Sequence, residues 1–123
     1  MTHKKHQIII CLASNENAKQ NLQVAREQLS LLLSDIKFTS ERWTDPVNCI
    51  RTEQYLNQLC KATTDFSLNL TNEVLKEIEK RLGRTHNGDG IVTIDLDLLQ
   101  YDDERLHIRD WERDYVKNLI SEL

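Results

Sequence analysis

Apolar and polar positions in this chain switch between two periods, and the switches mark out its elements. Ile8-Ile9-Ile10-Cys11-Leu12-Ala13 is apolar throughout, which predicts a strand central in its sheet or buried on both faces. Ser14-Asn15-Glu16-Asn17 follows, rich in helix-capping types. Over residues 18–34 Leu22, Ala25, Leu29, Leu32 and Leu33 recur at helical spacing, with Lys19, Arg26 and Glu27 elsewhere on the wheel. Residues 36–43 alternate from Ile36 and Phe38 onward, predicting a second strand. Thr44-Asp45-Pro46-Val47-Asn48 breaks it with the chain's single proline. Residues 55–64 predict a third strand, with Tyr55, Asn57, Leu59 and Lys61 on one face and Leu56, Gln58, Cys60 and Ala62 on the other.

A second helix is predicted over 70–82, where Leu70, Val74, Ile78 and Leu82 form a stripe at four-residue steps. Gly83 closes it as a C-cap glycine, behind Lys80 and Arg81 in the last turn, where cations suit the helix dipole. An Asn-Gly-Asp-Gly turn cluster then leads into residues 90–99, the strongest strand signal in the chain. Residues 106–123 read as a short connector and a terminal helix carrying Trp111, Tyr115, Leu119 and Leu123. The order β-α-β-β-α-β plus a C-terminal helix predicts an α+β, ferredoxin-like split sandwich. Its first strand should be central and should neighbour the last. Helices would cover one sheet face, leaving the other for a ligand or an added layer.

At 123 residues the chain reads as one domain, 1–123, able to bury a core without staples. With 39% apolar and 29% charged residues it has the balance of an ordinary globular protein. A net charge of −4 argues against a broad nucleic-acid surface, though a local cluster of cations or a metal can still hold a phosphate. Cys11, Cys49 and Cys60 lack Cys-x-x-Cys spacing, and with no signal peptide they read as free thiols in a cytoplasmic protein. The first apolar run is too short to span a bilayer, so no membrane association is expected. His86-Asn87-Gly88-Asp89-Gly90 is no phosphate loop, since the Walker spacing and its lysine are missing. Asp102-Asp103-Glu104 reads as a solvated turn.

Asp95 and Asp97 carry the candidate chemistry. On a strand they share a face with Thr93, at roughly 6.5–7 Å spacing, while Ile94, Leu96 and Leu98 pack behind. Like charges held side by side on a rigid element repel unless a cation lies between them or one takes up a proton. The bland alternative is a solvated polar face that happens to hold two acids.

Several stretches taken in order carry a resemblance. Leu12-Ala13-Ser14-Asn15, Thr44-Asp45-Pro46, Tyr55-Leu56-Asn57, Ile78-Glu79, Gly83-Arg84 and Thr93-Ile94-Asp95-Leu96-Asp97-Leu98-Leu99 resemble signatures of the 6-hydroxymethyl-7,8-dihydropterin pyrophosphokinases of folate synthesis. The resemblance implies ATP and a reduced pterin as substrates, AMP as leaving product, and two Mg2+ ions on Asp95 and Asp97 bridging the ATP phosphates. It places the pterin near Thr44, Pro46, Tyr55 and Asn57, with Tyr115 in place of a stacking aromatic. Glu79 would face the adenine or ribose side. Arg84, His86 and Arg113 are the candidate nucleotide contacts, Arg84 with a catalytic share. The chain would act as a monomer or homodimer.

The departures are specific. Val92 stands where the family has an arginine, Arg109-Asp110 where it has Pro-His, and Ala13 where it has glycine. Cations that would hold a triphosphate are thereby lost. The alternatives are a relative that binds a pterin or nucleotide without turnover, and a ferredoxin-like interaction module with no small ligand.

Overall fold

The computed structural model describes residues 4–46, 53–85 and 88–123. The elements are β1 (His6–Ser14), α1 (Ala18–Leu32), β2 (Ser34–Phe38), β3 (Arg42–Thr44), β4 (Tyr55–Thr64), α2 (Leu68–Arg81), β5 (Asp95–Tyr101), β6 (Glu104–Arg105), a 3-10 helix (Ile108–Glu112) and α3 (Asp114–Ile120). The sheet order is β2-β4-β1-β5-β6, with β3 also on β4. Every pairing is antiparallel. This is the α+β, ferredoxin-like arrangement, with β1 central and β5 beside it. No helix among the described residues is long and apolar enough to cross a membrane.

Because side chains alternate across a strand, β1 feeds two cores. Ile8, Ile10 and Leu12 pack with Leu22, Ala25 and Leu29 of α1, Leu75 and Ile78 of α2, and Leu96 and Leu98 of β5. Cys11 faces the other way, with Leu59, Leu99, Trp111, Val116 and Leu119. The terminal helix is thus the added layer on the second face. It covers only part of that face, and the uncovered part is where a ligand can enter.

A bulge makes the second core possible. Ile10 pairs with Leu98 but Ile9 pairs with Gln100, so Leu99 is the extra residue. Its side chain is fully buried in the second core. The Leu99 carbonyl accepts the indole N–H of Trp111 at 3.1 Å and the backbone N–H of Leu106 at 2.8 Å, anchoring the chain that leads to α3.

Several expectations need correction. The strand expected over 36–43 is two short strands, because Thr39 interrupts the ladder. Its N–H donates to Leu59 O at 2.9 Å, while its Oγ1, in place of its carbonyl, accepts the Leu59 N–H at 3.0 Å. On α2 the stripe is broader than expected: Ile78 is buried and Val74 and Leu82 are half-buried against the core, joined by buried Thr71, Leu75 and Glu79, while Leu70 is exposed. A four-residue step overshoots a full turn by about 40°, so Leu70, at the start of the expected stripe, is carried off the core-facing side. The strand expected from residue 90 begins only at Asp95, leaving Thr93 outside the ladder. Gly83 does adopt φ +94° behind α2, a conformation open to glycine at little cost.

Ser14 and Asn15 do not cap α1. Asn17 takes the cap position in a left-handed conformation without a side-chain cap. Ser14 is fully buried and its Oγ donates to Glu16 O at 3.0 Å. Nor is the turn at Asp102 merely solvated. Asp102 Oδ2 lies 2.6 Å from His6 Nδ1, and its Oδ1 accepts the Gln7 N–H at 3.0 Å, tying the β5–β6 hairpin to the start of β1.

Candidate active site

The register of three strands builds the site. Ala13 is opposite Asn57 on β4 and opposite Asp95 on β5; one pleat back, Cys11 is opposite Leu59 and Asp97. Two rows therefore cross the sheet side by side, Asn57–Ala13–Asp95 and Leu59–Cys11–Asp97, all on the face turned from α1 and α2. Beyond Asn57, β3 brings Thr44 opposite Tyr55 and Arg42 opposite Asn57. From the other layer, the 3-10 helix and the start of α3 bring Asp110, Arg113 and Tyr115. Together these enclose a cavity of about 280 Å³ lined by Cys11, Ala13, Thr44, Asp45, Tyr55, Asn57, Val92, Asp95, Asp97, Asp110, Arg113 and Tyr115.

The polar groups in this cavity are held in place. Asn57 is buried, and its amide N–H groups donate to Thr44 Oγ1 at 2.8 Å, to Arg42 O at 3.1 Å and to Tyr55 O at 3.3 Å. Tyr115 is half-buried, with its hydroxyl 3.8 Å from Cys11 Sγ. Burial raises the pKa of both groups. Arg113 Nε lies 3.1 Å from Asp110 Oδ1, so the cation at the cavity wall is matched by a carboxylate from its own layer.

Asp97 is strongly perturbed electrostatically. Burial pushes its carboxyl up to about 7, and the charge of Asp95 together with a hydrogen bond to Asp95 pushes the same way. Asp110 and Glu79 add smaller repulsions. A pair in this state takes up either a proton or a cation. Among the described residues no three or more His, Cys, Asp and Glu side chains form a metal-holding cluster of their own. Two carboxylates with open positions suit Mg2+, which takes one or two protein carboxylates and fills its octahedron from phosphates and water.

Thr44, Tyr55, Asn57, Asp95, Asp97, Arg113 and Tyr115 all line this one cavity. Three other expected site residues among those described do not. Pro46 lies outside the lining, past Asp45. Arg84 lines a second hollow of about 290 Å³, on the far side of Val92, and its Nη1 donates to Ile91 O at 3.3 Å. Its Nε is buried without a hydrogen-bond partner among the described residues. Glu79 is turned inward: it is buried on α2 and its Oε2 accepts the Leu96 N–H at 2.7 Å. A carboxylate placed there grips β5 from the helix side and lines neither hollow. His86, like Cys49, lies outside the described residues.

Sequence reasoning passed over Cys11 and Asp45 as lining groups and marked Ala13 and Val92 only as departures from the family pattern. For Cys11 and Ala13 a signal existed, since period-2 alternation puts both on one face of β1. Their wholly apolar run hid which face that was. Asp110 was legible only as a departure, and only packing brings it to the cavity wall.

The family model for 7,8-dihydro-6-hydroxymethylpterin-pyrophosphokinase matches residues 9–123. A folate synthesis bifunctional protein of Arabidopsis thaliana is 30% identical over 124 residues, covering 89% of this chain and 25% of that protein. The chain thus spans about a quarter of that relative's length. Among solved structures, B. subtilis GlnK aligns over 77% of this chain and 86% of its own at 12% identity and a TM-score of 0.30, a likeness too slight to carry an argument. With the family model running from β1 through α3, the chain belongs to the 7,8-dihydro-6-hydroxymethylpterin-pyrophosphokinase family.

Proposed function

We propose that this chain transfers pyrophosphate from ATP to 6-hydroxymethyl-7,8-dihydropterin, releasing AMP, as a single domain in folate biosynthesis. The observation that carries this reading is the shared register, which sets the acid pair Asp95 and Asp97 across one cavity from Thr44, Tyr55 and Asn57. A flat, amino-substituted ring fits the second group. With the Asn57 N–H groups committed to Thr44 and neighbouring carbonyls, its Oδ1 is the atom left to accept from a ring amine. Tyr55 and Tyr115, which line the same cavity, would supply apolar ring faces.

Asp95 and Asp97 would hold Mg2+, two ions with ATP bound, and the metal's part is to neutralise phosphate charge while aligning an in-line displacement. The carboxylates themselves would fix where the triphosphate lies, with its β-phosphorus toward the hydroxymethyl oxygen on the pterin side and AMP as the leaving group. Arg113 and Arg84 are the cations that would meet the phosphates, the first from the cavity wall and the second from behind Val92; His86 stays a candidate on sequence grounds. A coupled assay of AMP release with MgATP and hydroxymethyldihydropterin tests the reading. Turnover supports it, and no turnover at saturating substrate refutes it.

A second reading, a relative that binds without turnover, rests on a different observation. Val92 and Asp110 both line the cavity at positions where the resemblance expects cations, and Arg113, the one arginine among the described lining residues, is paired with Asp110. Calorimetry showing MgATP or pterin binding in a protein that releases no AMP would favour it.

A further inference from the structure

Asn15, the last residue of the motif Leu12-Ala13-Ser14-Asn15, is not used by the reaction described above. Asn15 follows β1 directly and binds the segment before β5 through its side chain and backbone together. Its Nδ2 donates to Gly90 O at 2.8 Å, its Oδ1 accepts the Val92 N–H at 2.6 Å, and its own N–H donates to Val92 O at 2.9 Å. The amide thus extends the sheet by side chain at a place where no strand forms. From the opposite side Arg84 Nη1 reaches Ile91 O at 3.3 Å, and Asp89 Oδ1 accepts the Ile91 N–H at 2.9 Å. Gly90 itself has φ +77°, so this stretch cannot simply continue the ladder.

Held this way, the segment is a partition. Val92 lines both hollows, the one with the acid pair and the one with Arg84. Asp95 begins β5 only three residues later. We propose that Asn15 is a positioning residue: it touches no substrate, but clamps the 90–92 partition and so sets how the acid pair and Arg84 are spaced for a nucleotide lying across it. This rests on the pyrophosphokinase reading for its kinetic part, and on hydrogen bonding alone for its structural part. The pterin side, held through Asn57 and Thr44, shares no hydrogen bond with Asn15. Loss of the clamp should therefore fall on the nucleotide.

The test uses the full chain with Asn15→Ala, which removes both side-chain bonds, and Asn15→Asp, which keeps the acceptor for Val92 and loses the donor to Gly90. Amide hydrogen exchange reports the clamp without reference to activity. The Val92 N–H should exchange at least about tenfold faster in Asn15→Ala and less so in Asn15→Asp. In steady-state assays the KM for MgATP should rise or kcat fall by about tenfold or more, with the pterin KM within about twofold of wild type. Unchanged Val92 exchange overturns the clamp. Faster exchange with unchanged MgATP parameters overturns its functional role, and an equal loss on the pterin side shows general destabilisation instead and also overturns it. If Asn15→Ala does not fold, Asn15→Asp is read by the same criteria. A wild-type chain without turnover would refute the proposed enzyme; Val92 exchange and MgATP calorimetry on the variants would still decide the clamp.

Discussion

Glu79 Oε2 accepts the backbone N–H of Leu96 at 2.7 Å, and Leu96 is the residue between the two aspartates. The outer neighbour of β5 is β6, which reaches only Gln100 and Tyr101. Near Asp95 the edge of β5 is therefore satisfied by a side chain from α2 instead of a strand. Burial raises the Glu79 pKa while the Leu96 N–H works to lower it, so the group is costly to hold and is held by that bond.

Removing it should be felt as stability first. Glu79→Ala leaves a buried N–H unpaired, at a cost of about 1–3 kcal/mol, which lowers Tm on the order of 4–12 °C. Glu79→Gln keeps an acceptor and should lose clearly less. Thermal unfolding by circular dichroism decides this, and a Tm for Glu79→Ala equal to wild type would show that the bond contributes nothing.

The acid pair should behave as a unit. Asp95→Asn and Asp97→Asn should each cut turnover by about 100-fold or more, because a metal held by one carboxylate no longer fixes the phosphates. Titration calorimetry should show weakened Mg2+-dependent ATP binding in both, with pterin binding retained. Turnover within tenfold of wild type in either variant would contradict the assignment.

Stability of the metal-free protein should depend on pH in an unusual direction. The Asp97 carboxyl is raised from the ordinary 3.8 to about 7, so the folded state holds its proton more tightly than the unfolded state does. Its contribution is fully present below the ordinary value and disappears as pH climbs through about 7. Glu79, also raised, acts in the same sense. Asp102 and Glu122 are lowered and act in the opposite sense, but only as the pH falls through the acid range. The Tm should thus be higher at pH 5 than at pH 8, and the gap should shrink in Asp97→Asn and on adding Mg2+ at pH 8. A gap of the same size in Asp97→Asn would remove Asp97 as its source.

Two thiols should be inert while the chain is folded. Burial raises Cys11 and pushes Cys60 up to about 12, so neither offers thiolate at neutral pH. Iodoacetamide at pH 8 followed by mass spectrometry should find both unmodified in the native protein and modified once it is unfolded. Fast labelling of Cys11 would mean that the cavity floor opens to solvent.

Patterns of one or two turns were legible in the sequence alone, because they depend on neighbours close along the chain. The period of 2 in residues 55–64 located β4 and put Tyr55 and Asn57 on one face; the spacing of Leu22, Ala25 and Leu29 located α1 and its buried side. The element order then implied the central β1 and its neighbour β5, and the ordered motifs implied the family. The tertiary structure alone decided what depends on partners far along the chain. Whether residues 90–94 extend β5 was settled by Asn15 and Arg84, which bind that segment across more than 70 residues and seven residues respectively. That Glu79 turns inward was settled by an N–H on β5 that needed an acceptor. Cavity walls such as Val92 and Asp110 have no local signature, since a side chain becomes a wall only through what stands opposite it.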